Sequence, residues 1–439
     1  MPYFKEIGHA VEQLQHWADL RREQGARVQP IIARAHKAIA AAMRDLRTAE
    51  PPPAMRRREP DALEDIRKLR PSGPRRFATR LSPADLRNRM RGAWLGRAAG
   101  CMLGVPVEGW SVADMEALAR RTGTAFPPET YWKGHPRPDE IRYETSPIRA
   151  YLEGNIRAIE ADDDLAYTLI GLLILEQCGP QFTTDDVGRA WLDFLPIACT
   201  AEQVALENLK AGVPATRAAT QNNPYLEWIG ADIRSDPWGY AAPGWPERAA
   251  EMAYRDASLS HRGNGVYGAM LFAAAIAAAF VVDAPLEAIR IGLTEIPRDC
   301  RLARDVRWAL QHCPNLRDWR EARALVDARF DGMNWVHTNN NACLTVFGLH
   351  LGNGDFTRTI GFTVAMGLDN DCTGATAGSI TGAILGAGGI PAHWQKPLGN
   401  RTRTYLRGHA TFRNDDIARR FVRLAQRLSA QSPHDSERE

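Results

Sequence analysis

Apolar residues recur at three- and four-residue steps through most of this chain, and this spacing predicts α-helices from one end to the other. Runs of alternating apolar and polar residues, which would predict strands, are absent from the sequence. The sequence therefore predicts an all-α fold. The clearest helical stretches are residues 163–178, 184–195, 246–254, 265–282, 285–293, 300–313, 357–367, 374–385 and 417–428.

The first 80 residues differ from the rest of the chain in charge. They hold 17 lysine and arginine residues against 10 acidic ones, whereas the whole protein has a net charge of only +3. Residues 4–48 have helical spacing, which Pro51–Pro53 end because proline lacks the amide hydrogen. The basic, proline-rich stretch that follows indicates a solvated linker, although it could also bind an acidic partner. It lacks interleaved aromatic residues, which argues against nucleic acid.

A chain of 439 residues is longer than a domain with a single ordinary hydrophobic core. The patterns described above divide it into a large domain and an appendage. Ser82 and Pro83 are typical of a helix start. We therefore predict a basic helical extension and linker over residues 1–80, a helical domain over 81–430 and a disordered tail over 431–439.

Cysteine usage and hydropathy predict the compartment. The seven cysteines are scattered without a C-x-x-C pair, which argues against a disulfide framework and against a thiolate zinc site. The most apolar segment, residues 269–282, is shorter than the roughly 20 residues of a membrane span and predicts a buried core helix. The N-terminus lacks the apolar stretch of a signal peptide. We therefore expect a cytoplasmic protein with no membrane partner.

Two aspartate clusters precede predicted helices. Asp162, Asp163 and Asp164 stand before an apolar run, and Asp369 and Asp371 stand before a segment rich in glycine and alanine. An acidic N-cap or a solvated turn would explain either cluster alone. Two such helix ends facing each other would instead offer hard oxygen donors, which suit Mg²⁺ or Mn²⁺.

Three segments of the chain resemble the ADP-ribosylglycohydrolase family, which includes dinitrogenase-reductase-activating glycohydrolase and the ADP-ribosylarginine hydrolases. Residues 92–108, GAWLGRAAGCMLGVPVE, are similar to the family's G-x-x-x-G-x-A-x-G-D-A-L-G-x-P-x-E. The first aspartate cluster, with Thr168, stands at the family's T-D-D-T. Residues 367–378, GLDNDCTGATAG, are similar to G-G-D-T-D-T-x-A-A-I-A-G. A weaker match, residues 256–261, resembles A-x-L-T-H. The resemblance spans residues 82–400 and implies a compact, multi-helix glycohydrolase domain of a divergent bacterial branch.

The resemblance also implies the residues of the site. The implied ligands of two divalent ions, Mg²⁺ or Mn²⁺, are Asp162, Asp163, Asp164, Asp369, Asp371 and Cys372. The implied catalytic residues are Glu108, Asp163 and Asp371, with Glu108 as acid/base or as the residue that binds the ribose. The implied substrate-binding residues are His261, Gly263, Asn264, Gly265 and Tyr267.

The chain departs from the family pattern at several of these positions. Asp162, Asn370 and Cys372 replace threonines, and Cys101 stands where many members have aspartate. A thiol is a poor ligand for Mg²⁺, so we expect an altered metal preference or one weaker ion.

The implied reaction is hydrolysis of the glycosidic bond at the anomeric carbon of ADP-ribose attached to a protein side chain or a small acceptor. Two alternatives stay open: an N-glycosidase acting on a small nucleoside-like riboside, and a catalytically silent binding or immunity module. We expect the N-terminal extension to contact a protein partner. The irregular segments 121–160 and 221–245 hold aromatic residues that would be either an adenine platform or core anchors: Trp132, Tyr225, Trp228, Trp238 and Tyr240.

Overall fold

The computed structural model describes residues 3–78 and 81–430 of the chain, and the all-α prediction is confirmed for them. Arg80 and the predicted tail at 431–439 lie outside the described residues. In chain order, the helices are α1 (Lys5–Glu23), α2 (Gln29–Thr48), α3 (Pro53–Arg58), α4 (Leu63–Leu69), α5 (Pro83–Gly104), α6 (Val112–Thr122), α7 (Asp163–Cys178), α8 (Thr184–Phe194), α9 (Thr200–Lys210), α10 (Ala215–Ala218), α11 (Asp236–Ala241), α12 (Pro246–Ala257), α13 (Asn264–Ala279), α14 (Pro285–Gly292), α15 (Arg301–His312), α16 (Trp319–Arg329), α17 (Thr338–Gly352), α18 (Phe356–Ala365), α19 (Asn370–Leu385), α20 (Ala392–Gln395) and α21 (Asn414–Ala430).

Short 3₁₀ helices and two small hairpins connect these helices. The 3₁₀ helices are Val105–Val107, Ile148–Tyr151, Ile229–Arg234, Leu293–Glu295, Cys313–Asn315, Ala387–Gly389 and Lys396–Leu398. Strand β1 (Ile141–Arg142) pairs antiparallel with β2 (Ser146–Pro147), and β3 (Thr402–Arg403) pairs antiparallel with β4 (Thr411–Phe412).

Helix α5 begins as its sequence predicts. The side chain of Ser82 accepts a hydrogen bond from the backbone amide of Asp85, at 3.1 Å, and Pro83 is the first helical residue. This cap satisfies one of the amides that have no partner inside the helix. The start of the large helical domain therefore has a local cause in the sequence.

Helices α5 and α19 pack antiparallel with their backbones in direct contact. Glycines spaced four residues apart on α5 face glycines on α19, in the pairs Gly92–Gly382, Gly96–Gly378 and Gly100–Gly374. A Cβ atom on any glycine of α5 in these pairs would overlap the carbonyl oxygen of its partner. The close approach places the end of α5, at Gly104, against Asp371 at the start of α19.

Helix α13 forms the centre of the core, because every one of its residues is buried. It confirms the prediction of a buried helix in this part of the chain, although the helix ends at Ala279. Among the described helices, none combines the length and the hydropathy that crossing a membrane requires. All seven cysteines are free thiols.

The N-terminal extension has two parts that differ in packing. Helices α1 and α2 bury none of their residues. The segment from α3 to residue 78, in contrast, is attached to the large domain: Ile66 is fully buried, and Arg70 and Arg75 each donate to the buried Glu295 at 2.7 Å. The interpretation as a solvated linker is therefore wrong for these two arginines, because they neutralise a carboxylate of the large domain.

Candidate active site

The first aspartate cluster begins helix α7. Asp162 is the N-cap, and its Oδ1 accepts from the backbone amide of Asp164 at 3.1 Å. The capping interpretation is therefore correct for one oxygen of this carboxylate. Its other oxygen, Oδ2, lies 3.3 Å from a guanidinium nitrogen of Arg142. Asp162 thus has a role beyond capping.

The second cluster begins helix α19 in a different way. Asp369 stands at the N-cap position, but its side chain makes no capping hydrogen bond. Its backbone amide donates instead to Asn341 Oδ1, at 3.2 Å. The Oδ1 atoms of Asp369 and Asp371 are buried and have no hydrogen-bond partner within the described part of the chain. Buried carboxylate oxygens without a donor are costly, so this helix start is suited to a cation.

The fold brings the two aspartate clusters together. Three groups each bring their ligand atoms within 4.8 Å of one another: Asp162–Asp163–Asp164, Asp164–Asp371–Cys372 and Glu108–Asp369–Asp371. Asp164 and Asp371 each belong to two of these groups and so connect them. The six predicted metal ligands and Glu108 therefore form one continuous cluster.

Burial raises the pKa values of these carboxylates and so disfavours their ionised forms. Burial, together with the charge of Asp162, raises the pKa of Asp163 to about 6. Burial and the charge of Glu108 raise the pKa of Asp369 to about 7. Burial likewise raises the pKa of Asp164 and of Asp371 well above the usual range. A divalent cation would favour the ionised forms and would release protons on binding.

Cys372 lies inside the cluster as a protonated thiol. Its Sγ donates to Asp164 Oδ2 at 3.2 Å, and burial and the charge of Asp164 raise the pKa of the thiol well above its usual range. Cys101 is also buried, and burial raises the pKa of its thiol too. Neither side chain supplies the hard oxygen that a threonine or an aspartate would bring to these positions.

Two neighbours of the cluster are not indicated by the sequence analysis, and the first is Arg97. It is fully buried and forms ion pairs with Asp164, at 3.1 Å, and with Asp236, at 2.7 Å. Its Nε donates to the hydroxyl of Thr168 at 3.0 Å. Arg97 lies within the glycine-rich opening motif, so its position in that motif is a signal that could have identified it.

The second neighbour is the hairpin of β1 and β2. Arg142 Nη1 donates to Glu108 Oε2 at 2.6 Å, and the hydroxyl of Tyr143 donates to Asp163 Oδ1 at 2.6 Å. These residues belong to the irregular segment 121–160. No motif or periodicity in that segment indicates that they reach the acidic cluster.

Three of the predicted substrate-binding residues, Gly263, Asn264 and Tyr267, contact the N-terminal extension. Residues 59–61, which we call the strap, accept three hydrogen bonds from them. The backbone amide of Gly263 donates to Asp61 at 3.2 Å, Asn264 Nδ2 donates to Glu59 at 3.0 Å, and the hydroxyl of Tyr267 donates to the Pro60 carbonyl at 2.6 Å. Within the described residues, none of the hydrogen bonds of these side chains reaches the acidic cluster.

His261 and Gly265 are enclosed by protein. His261 is fully buried, its Nδ1 lies 2.8 Å from Ser260 Oγ, and burial and the charge of Arg234 lower its pKa well below the usual range. It is therefore a neutral core histidine. A Cβ atom on Gly265 would lie 2.5 Å from the carbonyl oxygen of Leu226, so glycine is needed there for close packing.

The aromatic residues of the long loops divide into two groups. Trp132, Trp238 and Tyr240 are buried, which supports the interpretation as core anchors. Tyr225 and Trp228 are only partly buried, and their ring centroids lie 4.6 Å apart. This pair remains available as a stacking surface.

The chain is similar to a known protein family and to a solved structure. The model of the ADP-ribosylglycohydrolase family matches residues 82–433. A solved structure described as an "ADP-ribosylglycohydrolase-related protein complex" is similar to the chain, with a TM-score of 0.53 and 20% sequence identity, over 78% of this chain and 99% of that chain. At this identity the likeness concerns the fold. No curated protein matches the sequence.

Proposed function

This chain belongs to the ADP-ribosylglycohydrolase family of glycosyl hydrolases, and from that premise we propose that it is a metal-dependent hydrolase of ADP-ribosyl compounds. The bond cleaved is the glycosidic bond at the anomeric carbon of ADP-ribose, and the leaving group is a protein side chain or a small acceptor. We propose the cytoplasm as its compartment, where free thiols such as those of its seven cysteines persist.

The observation that carries the proposal is the connected cluster of carboxylates. Asp164 and Asp371 each belong to two groups of candidate ligands. Asp369 and Asp371 each hold a buried oxygen that receives no hydrogen bond from residues 3–78 or 81–430. All-oxygen donor sets of this kind suit Mg²⁺ or Mn²⁺. The residues present therefore fit Mg²⁺ or Mn²⁺ as the proposed cofactor. The family resemblance implies two such ions.

Different residues of the cluster would hold the metal, transfer a proton and position a ligand. Asp162, Asp163, Asp164, Asp369 and Asp371 would hold the metal, which supplies Lewis-acid polarisation and an activated water when bound. Glu108, partly exposed at the edge of the cluster, would hold or accept a proton at Oε1 near the leaving atom. Buried Arg97 keeps Asp164 in place through their ion pair.

Substitution of Asp371 tests the proposed function most directly. We expect D371A to fold, to bind Mn²⁺ at least about tenfold more weakly and to lose hydrolysis of ADP-ribosyl-arginine or ADP-ribosyl-serine. Asp193, exposed on α8, provides the control D193A, which should behave as wild type. Full activity in D371A would refute the assignment of the site.

The same assays separate the two alternative functions. Turnover of simple ribosides, without turnover of ADP-ribosyl substrates, would identify an N-glycosidase. Absence of turnover with Mn²⁺ bound would favour the silent binding or immunity module. The carboxylate cluster favours an enzyme, because a silent site has no physical need for crowded, buried negative charges.

We also propose a partner for the extension. Helix α1 exposes the large apolar side chains of Ile7, Val11 and Trp17, each by about half of its surface. Such a stripe is typical of a helix that packs against another protein. A truncation lacking residues 1–50 tests this: the fold and the basal hydrolysis should persist while the binding of a partner is lost. Unchanged partners would contradict the proposal.

A further inference from the structure

Arg142 places a positive charge among carboxylates from three separate parts of the chain. Its Nη1 lies 2.6 Å from Glu108 Oε2, and its Nη2 lies 3.3 Å from Asp162 Oδ2 and 3.9 Å from Asp371 Oδ2. Glu108 follows the 3₁₀ helix Val105–Val107, Asp162 caps α7 and Asp371 lies in the first turn of α19. A guanidinium thus connects the same elements that metal ions would connect.

The hairpin that carries Arg142 has a strained turn, which other contacts must stabilise. The turn is closed by a hydrogen bond from the amide of Thr145 to the carbonyl of Arg142, at 3.0 Å. Its two central residues, Tyr143 and Glu144, have φ values of 48° and 55°. Residues with a Cβ pay about 1 kcal/mol or more for this left-handed conformation, so surrounding contacts must hold the turn in place.

Those contacts are present on both sides of the turn. The ring of Tyr143 stacks on Tyr405 with centroids 5.1 Å apart, and its hydroxyl donates to Asp163 at 2.6 Å. Ser146 Oγ donates to the buried Glu160 at 2.6 Å. The position of Arg142 is therefore fixed by its neighbours and is not that of a free surface side chain.

A divalent ion and this guanidinium compete for the same carboxylate edge. Mg²⁺ binds its oxygen ligands at about 2.1 Å, so an ion bound to Glu108 Oε2 would lie at close range from Arg142. Two cations so close repel each other strongly in a site that is largely shielded from water. The Oδ1 atoms of Asp369 and Asp371, which have no hydrogen-bond partner in the described part of the chain, are not engaged by Arg142, so a second position remains open to a metal ion.

We propose that Arg142 is a built-in cation that replaces one of the two divalent ions, so that this chain binds a single ion. The inference rests on the metal dependence proposed above and deepens it. The remaining ion is held through Asp369, Asp371 and their neighbours in the cluster. Arg142 is then a positioning residue that keeps Glu108, Asp162 and Asp371 together where a metal ion would otherwise bridge them.

Mn²⁺ binding to the full chain tests the proposal without using activity. Titration followed by electron paramagnetic resonance should show one Mn²⁺ per wild-type chain, with the hyperfine pattern of an isolated ion. R142A and R142Q should each bind two ions, whose spins couple because paired metals in such sites lie about 3.5–4 Å apart. R142Q keeps most of the side-chain volume and preserves the test should R142A fail to fold.

The control is Arg149, which lies shortly after the same hairpin and pairs with the exposed Asp139. R149A should bind one ion, as wild type does. Two coupled ions in the wild-type chain would overturn this inference and leave the metal-dependent hydrolase intact. A single ion in folded R142A and R142Q would overturn it as well. Absence of bound Mn²⁺ from wild type and variants alike would overturn both proposals.

Discussion

Gly100 and Gly374 face each other across α5 and α19 so closely that a Cβ atom on Gly100 would overlap the carbonyl oxygen of Gly374. The contact lies one turn before Gly104, which abuts Asp371. The spacing between the two helices therefore controls the distance between Glu108 and the second aspartate cluster. Packing of small residues and chemistry of the site are coupled at this point.

We expect G100A to destabilise the protein and to impair the site. The added methyl group has no space, and overpacking of a core costs about 1–3 kcal/mol. Urea unfolding measures the loss of stability, and Mn²⁺ titration measures the effect on the site. Gly8 in α1 is the matched control, because a Cβ there meets no described residue within 4 Å. G8A should be neutral or stabilising by about 0.5–1 kcal/mol. Equal stabilities of G100A and wild type would refute the tight packing.

Replacement of Cys372 by threonine should change the metal preference. The thiol is protonated and donates to Asp164, whereas a hydroxyl would offer a hard oxygen. We expect C372T to bind Mg²⁺ about tenfold more tightly than wild type and to lose relative affinity for Cd²⁺. Isothermal titration calorimetry measures both constants. C178T, at an exposed position, should match wild type. An unchanged Mg²⁺ affinity would show that residue 372 does not contact the ion.

Glu202 should make stability depend on pH. Burial raises the pKa of Glu202 to about 7, despite its ion pair with Arg234 at 2.7 Å. The pKa of Glu202 in the folded protein thus lies above its unfolded value of about 4.3. The contribution of Glu202 to the free energy of unfolding is therefore largest below about pH 4.3 and is lost as the pH rises through about 7. E202Q should remove the part of the pH dependence of the unfolding free energy that Glu202 causes, which is at most about 1.4 kcal/mol per pH unit.

Urea unfolding in EDTA between pH 5 and 8 measures the difference between the two proteins. The control is E207Q, an exposed position on the same helix. A slope in E202Q identical to that of wild type would mean that Glu202 stays ionised in the folded protein.

Glu59 should anchor the strap. It accepts from the backbone amide of Arg301 at 2.7 Å and from the guanidinium of Arg301 at 2.8 Å, besides its bond from Asn264. Hydrogen bonds to a charged group contribute about 1.5–3 kcal/mol, so E59Q should open the strap more often. Trypsin should therefore cleave after Arg56, Arg57 or Arg58 faster in E59Q than in the wild-type protein.

The matched control for the strap is E64Q. Glu64 pairs with Arg67 on the surface of α4, where such pairs contribute about 1 kcal/mol or less. Its cleavage rate should equal that of wild type. A strap that is equally resistant in E59Q and wild type would show that Glu59 does not hold it.

The sequence predicted the helices well where caps and periodicity agree. The predicted helix at residues 163–178 coincides with α7. Helix α19 begins at Asn370, four residues before the predicted stretch, because its glycines and alanines give little periodic contrast. The carboxylate cluster was predictable because motif spacing placed both aspartate groups at helix starts.

The rest of the site depends on tertiary contacts that leave no local pattern. Arg142 meets Glu108, Asp162 and Asp371 only because a strained hairpin in an irregular segment folds onto two helix ends. The sequence indicates a solvated linker at the strap, because an isolated glutamate among arginines gives no sign that Glu59 packs against α13 and α15. The roles of the predicted site residues stay predictions.

The pairing of α5 with α19 also has a kinetic consequence. The two helices are separated by more than 260 residues of chain, so during synthesis α5 is complete long before its partner exists. Contacts between such distant segments are slow to form, and exposed apolar surface invites misassembly in the interval. Because Asp369, Asp371 and Cys372 belong to the acidic cluster, this cluster can be completed only after the start of α19 has been synthesised, long after α5 has left the ribosome.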